Sequence, residues 1–146
     1  MKNFTLSIDE LNTEIYQTIR NTTNWESIEN HQVEIALKKD LFSIMVSHFG
    51  KPVGIGRVIG DGAIYFYIQD VIVIPDYQGI GVGSLIMEGI ENYLSIHATG
   101  SSFIGLMAAE RVEGFYEKYG YKARPASKPG MYRIGYRKLS KNGPQD

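Results

Sequence analysis

The chain has 146 residues, of which 43% are hydrophobic and 21% charged, as expected for a single globular domain with one core. Its formal net charge of −1 gives no electrostatic reason to expect nucleic-acid or membrane partners. Because it contains no cysteine, disulfides, thiolate metal sites and a thiol nucleophile are excluded. The first residues are too polar for a signal peptide, and no apolar run approaches the ~18 residues of a membrane span. We therefore expect a cytoplasmic protein.

The first third of the chain predicts one strand followed by two helices. Residues 3–8 have strand character, and Asp9 is expected to cap a helix whose apolar residues recur every four positions. Thr23 and Glu26 have the spacing of a capping box, which predicts a second helix that continues to about Lys39.

Three strand-like segments follow, separated by turn signals. Residues 41–49 and 53–60 flank a Gly-Lys-Pro turn, and Asp61-Gly62 is typical of a two-residue hairpin turn. The segment 63–74 is apolar on both alternating faces, which suits a central strand covered on both sides.

The rest of the chain alternates helix and strand. The best apolar periodicity of the sequence predicts a helix from Val82 to His97. The remaining predicted elements are a strand at 101–108, a short helix at 112–119 closed by Gly120, and a last strand at 131–139. This order predicts an α/β (α+β) fold: a mixed, mostly antiparallel sheet of six to seven strands flanked by about four helices. We expect a single domain over residues 1–140 and a polar tail at 141–146.

A glycine-rich loop separates the central strand from the long helix, which is typical of a site for a phosphate or pyrophosphate. A P-loop is rejected because Gly79 is followed five places later by Ser84 and no lysine stands between them. A dinucleotide fingerprint is weak, because Ser84 replaces its third glycine. The remaining pattern is Q/R-x-x-G-x-G/A, which Gln78, Gly81 and Gly83 satisfy.

This loop motif, its place after the fourth strand, and the later segment Gly-Phe-Tyr-Glu-Lys-Tyr-Gly-Tyr at 114–121 resemble the GNAT superfamily of acyl-CoA-dependent N-acetyltransferases. The resemblance covers about residues 4–138 and follows the family's order of elements. It implies that an acetyl group passes from acetyl-CoA to a primary amine of a small molecule or peptide by direct attack.

The resemblance also implies where acetyl-CoA binds. The pantetheine arm would pair with the main-chain edge of Val71, Ile72 and Val73, and one N–H there would polarise the thioester carbonyl. The pyrophosphate would lie on the backbone of Gln78, Gly79, Ile80, Gly81, Val82, Gly83 and Ser84. Ala109 stands where many relatives carry an asparagine, so one contact to the cofactor is missing.

Two residues match catalytic positions of the family. Tyr116 matches the tyrosine that protonates the leaving CoA thiolate; the alternative to this role is a core aromatic, and Tyr119 is the second candidate for the acid. Asp70 is the candidate base that acts on the amine, directly or through water. It would share the face of its strand neighbours at 68 and 72 unless a bulge shifts the register. The alternative is a carboxylate that bonds nearby backbone or pairs with Arg57.

The acceptor side is less defined. In the family the first two helices and the last hairpin shape the acceptor site, here residues 20–35 and about 123–133. The candidate substrate-binding residues are Trp25, Tyr67, Arg124 and Tyr132. The amine is not identified, Glu113 is a weaker base candidate, and no pair of histidines has ligand spacing, so no metal is expected. A homodimer is possible, and a non-catalytic acyl-CoA sensor or an NAD-binding enzyme are the alternative functions.

Overall fold

A computed structural model describes residues 1–109 and 112–136. The chain forms two compact units, residues 1–107 and 108–146. The single domain expected over residues 1–140 and the polar tail at 141–146 stay predictions, and the tail lies outside the described residues.

The first unit contains a five-stranded sheet in the order β1-β2-β3-β4-β5. Neighbouring strands are antiparallel except β4 and β5, which run parallel. The mixed, mostly antiparallel sheet of the sequence prediction is therefore confirmed. The strands are β1 Phe4–Ile8, β2 Phe42–His48, β3 Lys51–Gly60, β4 Tyr65–Val73 and β5 Phe103–Leu106.

The predicted count of six to seven strands is not confirmed. Residues 131–136 of the last predicted strand form no strand, and residues 137–139 lie outside the described part of the chain. Met131, Tyr132 and Ile134 are exposed. Apolar and aromatic composition alone predicted this strand, whereas a strand also needs a neighbouring edge that accepts its hydrogen bonds.

Residues 1–109 and 112–136 contain four helices, the expected number. They are α1 Thr13–Arg20, α2 Asn30–Lys38, α3 Val82–His97 and α4 Glu113–Glu117, with a short 3-10 turn at Pro75–Tyr77. The predicted bounds of α3 are confirmed. The predicted end of α4 is also confirmed, because Gly120 has a φ of 90° and the N–H groups of Gly120 and Tyr121 bond back to the carbonyls of Glu117 and Tyr116.

The predicted starts of the first two helices are wrong. Asn12 caps α1 through its side chain, which accepts from the N–H of Ile15, while the Asp9 carboxylate accepts from the N–H of Ser43. Helix α2 begins at Asn30 rather than at the expected capping box. The hydroxyl of Thr23 instead closes a turn after α1.

The turn between β3 and β4 also differs from the prediction. Four residues, 61–64, connect the two strands instead of two. The Asp61 carboxylate accepts hydrogen bonds from the N–H groups of Ala63, Ile64 and Tyr65, at 2.8 to 3.0 Å. These bonds hold the wider turn and lower the pKa of Asp61.

Two helices cover opposite faces of the sheet. Helix α3 packs on β2, β3 and β4, and α1 packs on β3 and β4. Glycines at 54 and 56 of β3 face α3, where a Cβ atom would meet Ile86 at 3.0 and 2.6 Å. Arg57, one position on and hence on the other face, lies under the Tyr16 ring of α1. The two faces thus have different chemistry, apolar under α3 and charged under α1.

Candidate active site

Strands β4 and β5 separate half-way along β4. Their pairing runs from Tyr65 opposite Phe103 to Ile68 opposite Leu106, whereas β4 continues to Val73. Residues 69–73 therefore have no partner strand on that side within the described sheet. Main-chain groups along this edge must find hydrogen bonds elsewhere.

The pleat decides which main-chain groups face the open edge. The N–H of Ile74 donates to the carbonyl of Val53 on β3, so by alternation the peptide groups of Ile72 also point to β3. Those of Val71 and Val73 point to the open edge. The Val73 carbonyl accepts from the Gln78 side chain at 2.9 Å. Three groups at this edge then have no partner among the described residues: both groups of Val71 and the N–H of Val73.

A β-bulge interrupts β4 within this edge. Ile72 lies opposite Ile55, whereas Gln69 lies opposite Arg57, so Gly56 faces two residues of β4. One of the two, Asp70, has a φ of 55°. The bulge is the register shift that the sequence prediction allowed for, and it turns Asp70 toward the face covered by α1.

Asp70 is 4% exposed, and both oxygens of its carboxylate have hydrogen-bond donors. Oδ2 accepts from Tyr16 Oη at 2.6 Å and from Arg57 Nη1 at 2.7 Å. Oδ1 accepts from Gln69 Nε2 at 3.3 Å and lies 3.6 Å from Arg20 Nη1. The geometry shows the pairing with Arg57 that the sequence offered as the alternative to a base, and the role of base stays a prediction.

A second carboxylate holds the other side of Arg57. Asp40 accepts from Arg57 Nε at 3.0 and 3.1 Å and from Nη2 at 2.7 Å. Burial raises the pKa of Asp40, and the guanidinium opposes this only in part. Burial alone would lower the pKa of Arg57, but Asp40 and Asp70 raise it above its ordinary value. The guanidinium is thus a permanently charged link between two acids.

Tyr16 joins this network from α1. Burial, and then the charge of Asp70, raises the pKa of Tyr16 to about 12. Arg20 Nη1 donates to Tyr16 Oη at 3.0 Å, and its guanidinium lies 5.3 Å from the Trp25 ring centroid. The sequence analysis missed Tyr16, Arg20 and Asp40. A tyrosine and an arginine one helical turn apart were the available signal for two of them.

The glycine loop leaves the start of α3 uncapped. Gly79 and Gly81 have φ values of 77° and 100°, and Gly81 is the N-cap residue with no side-chain hydrogen bond. A Cβ atom at 79 would meet nothing within 4 Å, and one at 81 only the Met1 side chain. The first-turn N–H groups, at 82–84, have no acceptor within the helix. Such an open set of donors suits an anion.

The other predicted residues of the loop and the acceptor side are dispersed. Ile80 is exposed and Val82 is buried in the core. Trp25 contacts Arg20, as described above, and burial raises the pKa of Tyr67 on β4. Trp25 and Tyr67 both lie within residues 1–107, the unit that carries the open edge.

Three predicted residues belong to the second unit and are described by themselves. Tyr116 lies on α4, 5.1 Å from the Phe115 ring, and burial raises its pKa. Arg124 donates to the carbonyl of Lys128 at 2.7 Å, which is ordinary turn chemistry, and Tyr132 is exposed.

Comparison with known proteins identifies the family of this chain. The model of the acetyltransferase (GNAT) domain matches residues 10–138. The chain belongs to the GNAT family. This confirms the resemblance drawn from the loop motif and the 114–121 segment, and it supports an acyltransferase.

Solved GNAT structures share the fold. A probable acetyltransferase of unknown function from meticillin-resistant Staphylococcus aureus is 32% identical with a TM-score of 0.84, covering 91% of this chain and 99% of that one. A GNAT family acetyltransferase from Streptococcus pneumoniae is 25% identical with a TM-score of 0.74, covering 92% and 99%. GNAT acetyltransferases use acetyl-CoA.

Curated GNAT relatives are longer. Serotonin N-acetyltransferase 2, chloroplastic, of Oryza sativa subsp. japonica is 38% identical over 85 residues, 58% of this chain and 42% of that protein. GCN5-related N-acetyltransferase 1, chloroplastic, of Arabidopsis thaliana is 29% identical over 131 residues, 88% of this chain and 63% of that protein. The chain thus spans less than two thirds of the length of these relatives.

In residues 1–109 and 112–136, no group of three or more His, Asp or Glu side chains is placed to hold a metal ion. Over the same ranges, no helix combines the length and apolarity that crossing a membrane requires.

Proposed function

We propose that the protein transfers the acetyl group of acetyl-CoA to a primary amine of a small molecule or peptide. The observation that carries this proposal is the open edge of β4, which leads through the 3-10 turn into the uncapped glycine loop. Together they offer a line of main-chain donors and acceptors along one strand and into one helix start. Membership of the GNAT family supports acyl transfer as the reaction.

Acetyl-CoA would bind to this surface almost entirely through main-chain groups. The pantetheine amides pair with Val71 and Val73 as an added strand would. The diphosphate accepts from the N–H groups that begin α3, and Gly79 and Gly81 leave room for its oxygens. Residues 78–84 contain no charged side chain, so the helix dipole and peptide dipoles supply the attraction.

The reaction we propose has one tetrahedral intermediate. The amine nitrogen attacks the thioester carbon while the N–H of Val71 polarises the carbonyl oxygen. The C–N bond forms and the C–S bond breaks; in the role that the family resemblance assigns to it, the Tyr116 hydroxyl protonates the departing thiolate and then regains a proton from water. The ammonium proton passes to water rather than directly to Asp70, because donors already occupy both oxygens of that carboxylate.

The acceptor class that we propose first is an arylalkylamine. The rice relative is named a serotonin N-acetyltransferase, and the aromatic side chains of Trp25 and Tyr67 suit an aromatic amine. A second class is a protein lysine, because a Glycine max relative, 35% identical over 80 residues, is named histone acetyltransferase TAP1. The cytoplasmic location, the lack of nucleic-acid and membrane partners, and the possible homodimer stay predictions.

Calorimetry with CoA and with NAD, followed by an amine panel with acetyl-CoA, tests this function. The panel contains arylalkylamines, polyamines, aminoglycosides, amino acids and a lysine peptide. Released CoA is detected with a thiol reagent, which has no background because the chain contains no cysteine. We expect CoA to bind, NAD not to bind, and at least one amine to be acetylated. CoA binding without turnover on any amine would favour the sensor, and absence of CoA binding would overturn the proposal.

A further inference from the structure

The β4 bulge is held from both faces of the sheet. On the α1 face, Arg57 and Tyr16 donate to the Asp70 carboxylate. On the α3 face, Ile86 packs against Gly56, the residue opposite the bulge, without room for even a methyl group between them. A bulge fixed in this way has one conformation rather than a range of them.

Asp70 holds an uncommon backbone conformation at this point. A φ of 55° is disfavoured for a residue with a Cβ atom, and aspartate and asparagine tolerate it better than most. Such a conformation persists only where surrounding contacts determine it. Here those contacts are the hydrogen bonds of the Asp70 side chain.

The direction of the Val71 N–H depends on this conformation. That N–H belongs to the peptide plane joined to the Cα atom of Asp70, so the backbone angles of Asp70 set where it points. It is also one of the groups at the open edge of β4. A rotation at Asp70 would turn this donor away from the edge without changing any side chain that a ligand touches.

We propose that the Arg57–Asp70 pair is a positioning device that aims the N–H of Val71 at the thioester carbonyl of acetyl-CoA. This inference rests on the proposed function. Arg57 cannot easily swing away, because Asp40 binds its Nε and Nη2 atoms while Nη1 holds Asp70. Asp70 then acts through backbone geometry and transfers no proton.

Three variants separate a positioning residue from a base. Asp70→Asn keeps an oxygen that accepts from Arg57 and Tyr16 and tolerates the same φ, but it cannot act as a base. Asp70→Ala loses both the anchor and the base. Tyr16→Phe removes one neutral donor and leaves the charges in place. The matched control is Asp61→Ala, which removes another backbone-anchoring aspartate at the opposite end of β4.

The decisive readout is the carbonyl stretch of bound acetyl-CoA labelled with 13C at the acetyl carbonyl, recorded without acceptor. Wild type is expected to shift this band to lower frequency through the Val71 hydrogen bond, Asp70→Asn to keep the shift, Tyr16→Phe to lose part of it, and Asp70→Ala to lose it. We expect kcat to fall about 100-fold in Asp70→Ala and less than about fivefold in Asp70→Asn, with little change in KM for acetyl-CoA. Asp61→Ala is expected to keep the band and kcat of wild type.

Two results would overturn this inference. One is a folded Asp70→Ala protein with the wild-type carbonyl band. The other is an Asp70→Asn protein as inactive as Asp70→Ala, with the acidic limb of its pH–rate profile removed, which would identify a base. Should Asp70→Ala not fold, the band in Tyr16→Phe and Asp70→Asn decides. Failure of the wild type to bind CoA would instead overturn the proposed function, so the two failures are distinguishable.

Discussion

Gly56 of β3 lies so close to Ile86 of α3 that a Cβ atom at position 56 would stand 2.6 Å from Ile86 Cγ2. We expect Gly56→Ala to lower the free energy of unfolding by about 1–3 kcal/mol through overpacking. Chemical denaturation measures this free energy of unfolding. The control is Gly100→Ala, where a Cβ atom meets nothing within 4 Å. In the double variant with Gly56→Ala and Ile86→Ala, the loss of unfolding free energy should be smaller than the sum of the two single-variant losses. Additive losses would show that the contact is not the cause.

The loop glycines should matter for cofactor affinity more than for stability. Gly79→Ala and Gly81→Ala add a methyl group to the loop that leads into α3 and strain a positive φ. We expect each to weaken CoA binding at least about tenfold, or ~1.4 kcal/mol, in calorimetry. Gly62→Ala carries the same strain, at a φ of 79°, in the β3–β4 turn. It should lose comparable stability and keep its CoA affinity. Equal affinity for all three variants would count against the loop as the diphosphate site.

Alkaline pH should destabilise the protein through Tyr16. The pKa of Tyr16 rises from 10.0 to about 12, by burial first and then by the charge of Asp70, with Arg20 opposing. The native state therefore holds this proton more tightly than the unfolded chain does. The stabilisation is fully present below pH 10 and is lost as pH rises toward 12, about 2–3 kcal/mol in all. Urea unfolding at several pH values measures it.

The matched variant for this pH dependence is Tyr16→Phe, which has no proton to lose at this site. Its unfolding free energy should decline less between pH 10 and 12 than that of wild type. Tyr67, Tyr93 and Tyr116 also have raised pKa values, so the comparison is the difference between the two proteins. Parallel pH curves for wild type and variant would contradict the prediction.

Removing the proposed acid should slow turnover without loosening the cofactor. For Tyr116→Phe we expect kcat to fall by about 10²–10⁴-fold, the usual contribution of a general acid, with unchanged CoA affinity. Steady-state kinetics and calorimetry measure the two quantities. Tyr119→Phe on the same segment is the comparison and should remain active. If Tyr119→Phe lost activity while Tyr116→Phe kept it, the acid would be Tyr119.

The sequence predicted the elements whose signals are local and periodic. The apolar repeat of α3, the glycine cap at 120 and the order of the first five strands all follow from residues close together in the chain. The start of α2 was missed because a four-residue match to a capping box competes with other uses of a threonine hydroxyl. Here Thr23 closes a turn on Arg20 instead.

The candidate site shows the same difference between local features, which the sequence predicts, and contacts between distant residues, which it does not. The glycine loop and the valine edge of β4 were identifiable because they form one contiguous segment with a family motif. Apart from its neighbour Gln69, the partners of Asp70 are Arg57, Arg20 and Tyr16, which lie 13, 50 and 54 positions away in the chain, and only folding brings them together. Pairing with Arg57 was foreseeable as a charge balance, whereas the hydroxyl of Tyr16 depended on which face of α1 meets the sheet.

The gap between β4 and β5 has a consequence for handling the protein. A bare strand edge made of Val71, Ile72 and Val73 is a template on which another chain can assemble. Cofactor bound there would shield that template and raise the melting temperature, with an increase that follows the logarithm of its concentration above Kd. Preparations stripped of coenzyme should therefore precipitate sooner on storage than loaded ones, and light scattering of the two side by side would show it.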